Sequence, residues 1–188
     1  MATLRTFIAL GTPDEFRVRI GTIQEMMKQS PADVRWEPAD KFHATIKFLG
    51  GVEEQKLSEL GSKIKETLVP FGRVQVTFDA AGFFPHLRRP RVVWVGAKTT
   101  DPALLSIKQK LDETLAPMGF EIDSREFHPH ITLGRIKSTK EINHLISIVE
   151  SLRFEPFTAT MGEVLLMKSI LRPEGSHYST LETYTLHS

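Results

Sequence analysis

The segments His43-Ala44-Thr45-Ile46 and His130-Ile131-Thr132-Leu133 are two copies of one four-residue pattern, 87 positions apart. Successive side chains of an extended chain turn to opposite faces, so each copy puts a histidine and a threonine on one face and an aliphatic pair on the other. Read as two strands, the copies present an imidazole and a hydroxyl twice on a polar surface and send Ala44, Ile46, Ile131 and Leu133 toward a core.

The flanking elements repeat as well. Leu4 to Leu10 reads as a strand, and Thr12-Pro13 supplies a helix cap with proline at the first helical position. The stripe Phe16, Ile20, Ile23 and Met27 marks that helix, which Ser30-Pro31 ends. The first motif strand runs from about Phe42 to Leu49 and closes on Gly50-Gly51. Leu57, Leu60, Ile64 and Leu68 then mark a second helix, and Val74, Val76 and Phe78 a strand. The same order restarts at the strand Arg91 to Ala97. Asp101-Pro102 opens a helix striped by Leu104, Ile107, Leu111, Leu115 and Met118, and the second motif strand starts at His130. Ser138 and Glu141 form a capping box for a helix with Ile142, Leu145, Ile146 and Val149 inside, and strands around Thr158 to Leu171 and Tyr178 to Leu186 complete the chain.

Strand, helix, motif strand, helix, strand thus occurs twice, over about residues 4–84 and 91–171, the signature of an internal duplication. The connection from Phe84 to Pro90 is too short and stiff for a flexible linker. The expected fold is α+β: two pseudo-symmetric lobes, each an antiparallel sheet with helices on its outer face, packed as a single domain over 1–188 around a central cleft. A pseudo-twofold axis between such lobes turns both histidines toward one space.

Composition narrows the function classes. The 188 residues hold 24 Lys+Arg and 23 Asp+Glu, a formal charge of +1, which argues against holding long nucleic acid through bulk charge but leaves room for a local basic pocket. Cysteine is absent, which excludes disulfides, Cys-based zinc sites and a thiol nucleophile. The longest apolar run near the start, Phe7-Ile8-Ala9-Leu10, is too short for a signal-peptide core or a membrane span. The expectation is a soluble, cytoplasmic protein with no membrane partner.

Two histidines suit paired proton transfer, since an imidazole with a reference pKa of about 6.5 serves as base in one copy and acid in the other. No metal or cofactor is required. A threonine hydroxyl from each copy can donate to a non-bridging phosphate oxygen. A metal site at His128-Pro129-His130 is disfavoured, because Pro129 constrains the backbone and no acidic residue stands at ligand spacing. Lys47 has the parity of His43 and Thr45 and is expected to attract substrate phosphate. Arg135 has the opposite parity to His130 and reaches the phosphate from the strand end, or directly if Gly134 permits a bulge. The turn Leu87-Arg88-Arg89-Pro90-Arg91 is a candidate grip for an RNA backbone, though such clusters are more often solvated loops. Among Trp36, Phe48, Phe84 and Trp94, candidates for base stacking, Phe48 and Trp94 sit in apolar strands and read as core. His86, His144, His177 and His187 lack a partner pattern, with His177-Tyr178 near enough to the end to line the cleft. Walker and dinucleotide glycine patterns are absent.

In their surroundings, Phe42-His43-Ala44-Thr45-Ile46-Lys47-Phe48-Leu49-Gly50 and Phe127-His128-Pro129-His130-Ile131-Thr132-Leu133-Gly134-Arg135, the motifs resemble those of the two-histidine (2H) phosphoesterase superfamily. Within it the chain is most similar to the bacterial and archaeal RNA 2′,3′-cyclic phosphodiesterases, historically called 2′-5′ RNA ligases. Arg5-Thr6-Phe7-Ile8-Ala9-Leu10, Phe84-Pro85 and Arg89-Pro90-Arg91-Val92-Val93-Trp94-Val95-Gly96 extend the resemblance over nearly the full length. It implies hydrolysis of a terminal 2′,3′-cyclic phosphate of RNA to a 2′-phosphate, with His43 as proton donor, His130 as proton acceptor and Thr45 and Thr132 binding the phosphate. Arg135 matches a basic residue common after the second motif. Ala44 departs from the larger aliphatic residue usual there, which touches only the buried face. Reversal would make a 2′-5′ linkage. The implied partner is RNA with a 2′,3′-cyclic phosphate end, acted on by a monomer. Two other readings stay open: a non-catalytic RNA or nucleotide phosphate-binding module, and the same chemistry on small cyclic nucleotides.

Overall fold

The structure, a computed structural model, describes residues 3–173 and 175–187. The chain runs β1 (Thr3–Gly11), α1 (Asp14–Met27), β2 (Val34–Trp36), β3 (His43–Glu53), α2 (Leu57–Leu68), β4 (Val74–Phe78), β5 (Ala80–Phe84) and β6 (Val92–Gly96). It continues through α3 (Pro102–Leu115), β7 (His130–Ile136), α4 (Ile142–Ser151), β8 (Phe157–Met161), β9 (Glu163–Arg172) and β10 (Gly175–Thr185). The architecture is α+β with antiparallel sheets and helices, as the sequence pattern predicts.

The helices form where the apolar period demands and pack one face on the sheets. Ile20, Ile23 and Met27 of α1, Leu60 and Ile64 of α2, Leu104 and Leu111 of α3, and Leu145 of α4 share one core with the motif aliphatics Ala44, Ile46, Ile131 and Leu133. Full burial of a leucine there contributes roughly 1.5–3 kcal/mol. The capping chemistry divides. Asp101 caps α3 by accepting from the Ala103 amide at 2.7 Å, with Pro102 at the first helical position. Thr12 does not cap α1; Pro13 is the residue before it, and the buried Thr12 hydroxyl has no hydrogen-bond partner among the described residues. The Ser138–Glu141 box does not form either. Glu141 takes a left-handed conformation at the start of α4, and Ser138 Oγ accepts from the Lys140 amide instead.

Strand order in the main sheet is β10-β9-β1-β3-β7-β6-β5, with β2 also paired to β7. Its two halves meet where the motifs do, at the register pair Ala44↔Ile131. The expected strand from Thr158 to Leu171 is two strands parted at Gly162, and they go to different partners. β9, from the second repeat, pairs with β1 of the first, while β5 of the first repeat pairs with β6 of the second. β4 and β8, one from each repeat, make a separate two-stranded sheet. The halves are therefore woven together, and the helices lie on the side of the main sheet away from the two histidines. Among the described residues no helix is long and apolar enough to cross a membrane.

Candidate active site

His43, Thr45, His130 and Thr132 all line one cleft of about 250 Å³ on the open face of the main sheet. Each imidazole is fixed by its own strand entry. His43 Nδ1 bonds to the Lys41 carbonyl at 2.7 Å and His130 Nδ1 to the His128 carbonyl at 2.8 Å. A carbonyl only accepts, so each Nδ1 carries the proton in the neutral ring and each Nε2 is left as the available base. Neither Nε2 has a hydrogen-bond partner among the described residues. Rings complete the holding: Phe7 lies 5.0 Å and Tyr178 5.1 Å from the His43 ring, and Phe84 meets His130 edge-on at 4.6 Å.

Burial is the largest influence on both imidazoles and lowers their pKa below the usual 6.5. The carbonyl bonds oppose it in part. For His43 the charge of Arg135 lowers it further, as does His130 itself. Both rings are neutral in the free protein at neutral pH.

One residue beyond each His-x-Thr triplet the strand alternation breaks. Ile8 pairs with Lys47 but Ala9 with Thr45, leaving Ile46 as an extra residue in β3. Val93 pairs with Gly134 but Trp94 with Thr132, leaving Leu133 as an extra residue in β7. These bulges sit at equivalent places in the two repeats, and each inverts the parity of the residues beyond it. Lys47 is the casualty in β3. It does not line the cleft, as the simple alternation predicts, but is 4% exposed on the opposite side. There it pairs with the Asp112 carboxylate of α3 and donates to the Glu121 carbonyl at 2.6 Å. Asp112 also accepts from Lys108 at 2.7 Å. Phe48, expected in the core, takes the vacated face and is 66% exposed along the cleft.

In β7 the bulge has the reverse consequence. Arg135, out of phase by plain alternation, joins His130 and Thr132 in the cleft wall. Its Nε donates to Glu37 Oε1 at 3.3 Å, and its Nη2 lies 3.5 Å from the Tyr178 hydroxyl. Gly134, next to the bulge, makes room for β2, since a Cβ there would stand 2.6 Å from Val34 Cγ1 and 2.9 Å from the Trp36 ring. The bulge is clamped from behind. Gln24, buried in α1, donates to both the Leu133 carbonyl at 2.8 Å and the Glu37 carbonyl at 2.6 Å. Thus α1 holds the strand that aims Arg135 and the residue that pairs with it.

Glu37 and Tyr178 are site residues that the pattern of the chain underplays. Nothing in the sequence marks Glu37. Tyr178 lines the cleft where His177, its strand neighbour, points outward. Trp94, expected in the core, is half-buried beside the second motif, stacked on Phe84 at 5.2 Å and 6.1 Å from the His130 ring. Trp36 packs against the core, and the Arg88–Arg91 turn does not line the cleft. His128 is a strand-entry residue, 3.4 Å from Glu126. Among the described residues no cluster of His, Asp and Glu is arranged to hold a metal ion. The assembled groups can move two protons and bind an anion between them.

Residues 12–171 match the family model of the 2′-5′ RNA ligase superfamily. The RNA 2′,3′-cyclic phosphodiesterase of Methanothermobacter thermautotrophicus is 30% identical, with 97% of this chain and 99% of that protein covered. Its namesake in Thermotoga maritima is also 30% identical, over 95% and 93%. Among solved structures, Escherichia coli LigT complexed with 3′-AMP superposes with a TM-score of 0.77 at 26% identity, covering 99% of both chains. A Thermus thermophilus protein shares the fold at TM-score 0.80 and 22% identity, covering 98% of this chain and 99% of that one.

Proposed function

The chain belongs to the 2′-5′ RNA ligase superfamily of 2H phosphoesterases, and on that footing we propose that it hydrolyses the terminal 2′,3′-cyclic phosphate of RNA to a 2′-phosphomonoester. The observation that supports this most is the matched pair of imidazoles: two equivalent strands each deliver to one cleft a ring with Nδ1 tied to the main chain and Nε2 without a hydrogen-bond partner among the described residues. His130 Nε2 takes the proton of a water as its oxygen bonds to phosphorus. His43, protonated, gives its proton to the 3′ oxygen as the P–O3′ bond breaks. Thr45 and Thr132 donate to the non-bridging oxygens, and Arg135 balances the charge that builds on them. Phe48 and the Phe84–Trp94 pair offer faces for bases. A 5′-hydroxyl of a second strand in place of water gives a 2′-5′ linkage by the same proton transfers.

Incubation with an oligoribonucleotide ending in a 2′,3′-cyclic phosphate tests the reading. The expected product carries the phosphate on the 2′ oxygen. His43→Ala and His130→Ala each lose about 10²- to 10⁴-fold in turnover, Thr45→Ala and Thr132→Ala lose less, and a chelator changes nothing. A 3′-phosphate product would reverse the assigned leaving group. Tight binding without turnover would leave a phosphate-binding module.

A further inference from the structure

The cleft carries more positive charge than one cyclic phosphate uses. Among the described residues Arg5, Arg35, Lys41 and Arg135 line it against a single carboxylate, Glu37, so with neutral histidines these groups hold an excess of three positive charges in a chain whose formal total is +1. A cyclic phosphodiester brings one negative charge. Arg35 is the telling member. It stands directly across the β2–β7 ladder from Arg135, and like charges in facing positions of an antiparallel pair repel. Among the described residues the one acidic side chain lining the cleft with them, Glu37, is bonded to Arg135. Among the described residues the Arg35 guanidinium makes no hydrogen bond or ion pair, yet it is half-buried, with its Nε and Cζ packed over Gly175 about 3.5 Å from where a Cβ would stand. A guanidinium so held, with five donors unspent and a second one facing it, is arranged for an anion.

Resting on the functional reading above, we propose that Arg35 binds the phosphodiester next to the reacting nucleotide, making the site selective for oligonucleotide ends over cyclic mononucleotides. Arg135 then serves the cyclic phosphate and Arg35 the neighbouring link, which resolves the repulsion between them by placing an anion on each.

The test compares adenosine 2′,3′-cyclic phosphate with the adenosine dinucleotide that ends in the same group, a pair differing by one nucleoside and one phosphodiester. In Arg35→Ala the ratio of kcat/KM on the dinucleotide to that on the mononucleotide falls about tenfold, Arg35→Lys recovers part of it, and the salt slope for dinucleotide binding drops by about 0.7. An equal effect on both substrates, or none on either, overturns the assignment. If the wild type turns over neither substrate, the functional reading fails. Titration of the 2′-phosphorylated mononucleotide and dinucleotide into both proteins then decides Arg35 separately, an unchanged affinity ratio being the result against it.

Discussion

Both imidazoles are buried enough to resist protonation, and that sets a pH signature. Turnover through an acid and a base needs one ring charged and one neutral, and both pKa values lie below 6.5 in the free protein. The bell of kcat/KM, which reports the free enzyme, is therefore expected on the acid side of 6.5. A bound phosphate anion favours the imidazolium, so the alkaline limb of kcat shifts to higher pH. Coincident limbs in the two profiles would count against the anion sitting between the rings. The same depression governs stability: above about pH 6.5 the two histidines are neutral folded or unfolded and no stability is lost. As pH falls through that value and then through the lowered folded pKa, the unfolded chain binds protons first and stability declines. Lys47 is the residue whose role inverts. Because it ties β3 to α3 and to the segment before the second motif, Lys47→Met is expected to cost about 3 kcal/mol of stability, with KM little changed. A raised KM with unaltered thermal unfolding would return it to the substrate. The histidines and threonines were legible because they precede the irregularity in each strand. Lys47, Phe48 and Arg135 lie beyond it, and one inserted residue, which no alternation rule detects, exchanges their faces.

At the level of elements, each motif strand depends on a helix behind it. Gln24 of α1 holds the carbonyl of the bulged Leu133, and Asp112 of α3 holds Lys47 just past the bulged Ile46. These polar contacts sit inside otherwise apolar helix stripes, which is why periodicity located the helices and passed over their most specific residues. Gln24→Leu keeps the volume and removes two donors. The expected result is a loss of about 1–3 kcal/mol together with a higher KM, since Glu37 and through it Arg135 lose their anchor. A stability loss with KM intact would show that the clamp serves folding alone. Helix ends were read less well than helix faces: Asp101 caps as its sequence suggests, whereas Glu141 adopts a left-handed turn that displaces the box written into Ser138–Glu141.

Over the whole molecule the duplication was visible in the spacing of strands and helices, but the interlacing of its halves was not. Pairing of β9 with β1 joins residues far apart in the chain, and nothing local encodes it, while the β5–β6 hairpin carries the chain across from one repeat into the other. We infer from this exchange that residues 1–188 form one domain, since neither repeat alone supplies all strands of its own half-sheet. One cooperative unfolding transition is expected by calorimetry and by circular dichroism alike, and two separable transitions would argue for independent lobes. The approximate symmetry also fails where it matters for binding. Position 48 is phenylalanine and its counterpart 135 arginine, so these two cleft-lining side chains do not obey the symmetry of the repeats.

The most direct test of the two-imidazole site is a crystal structure with adenosine 2′-monophosphate bound. His43 Nε2 and His130 Nε2 are expected at roughly 2.6–3.2 Å from oxygens of the same phosphorus, one on each side. A phosphate held by only one of the two rings, or seated away from both, would contradict it.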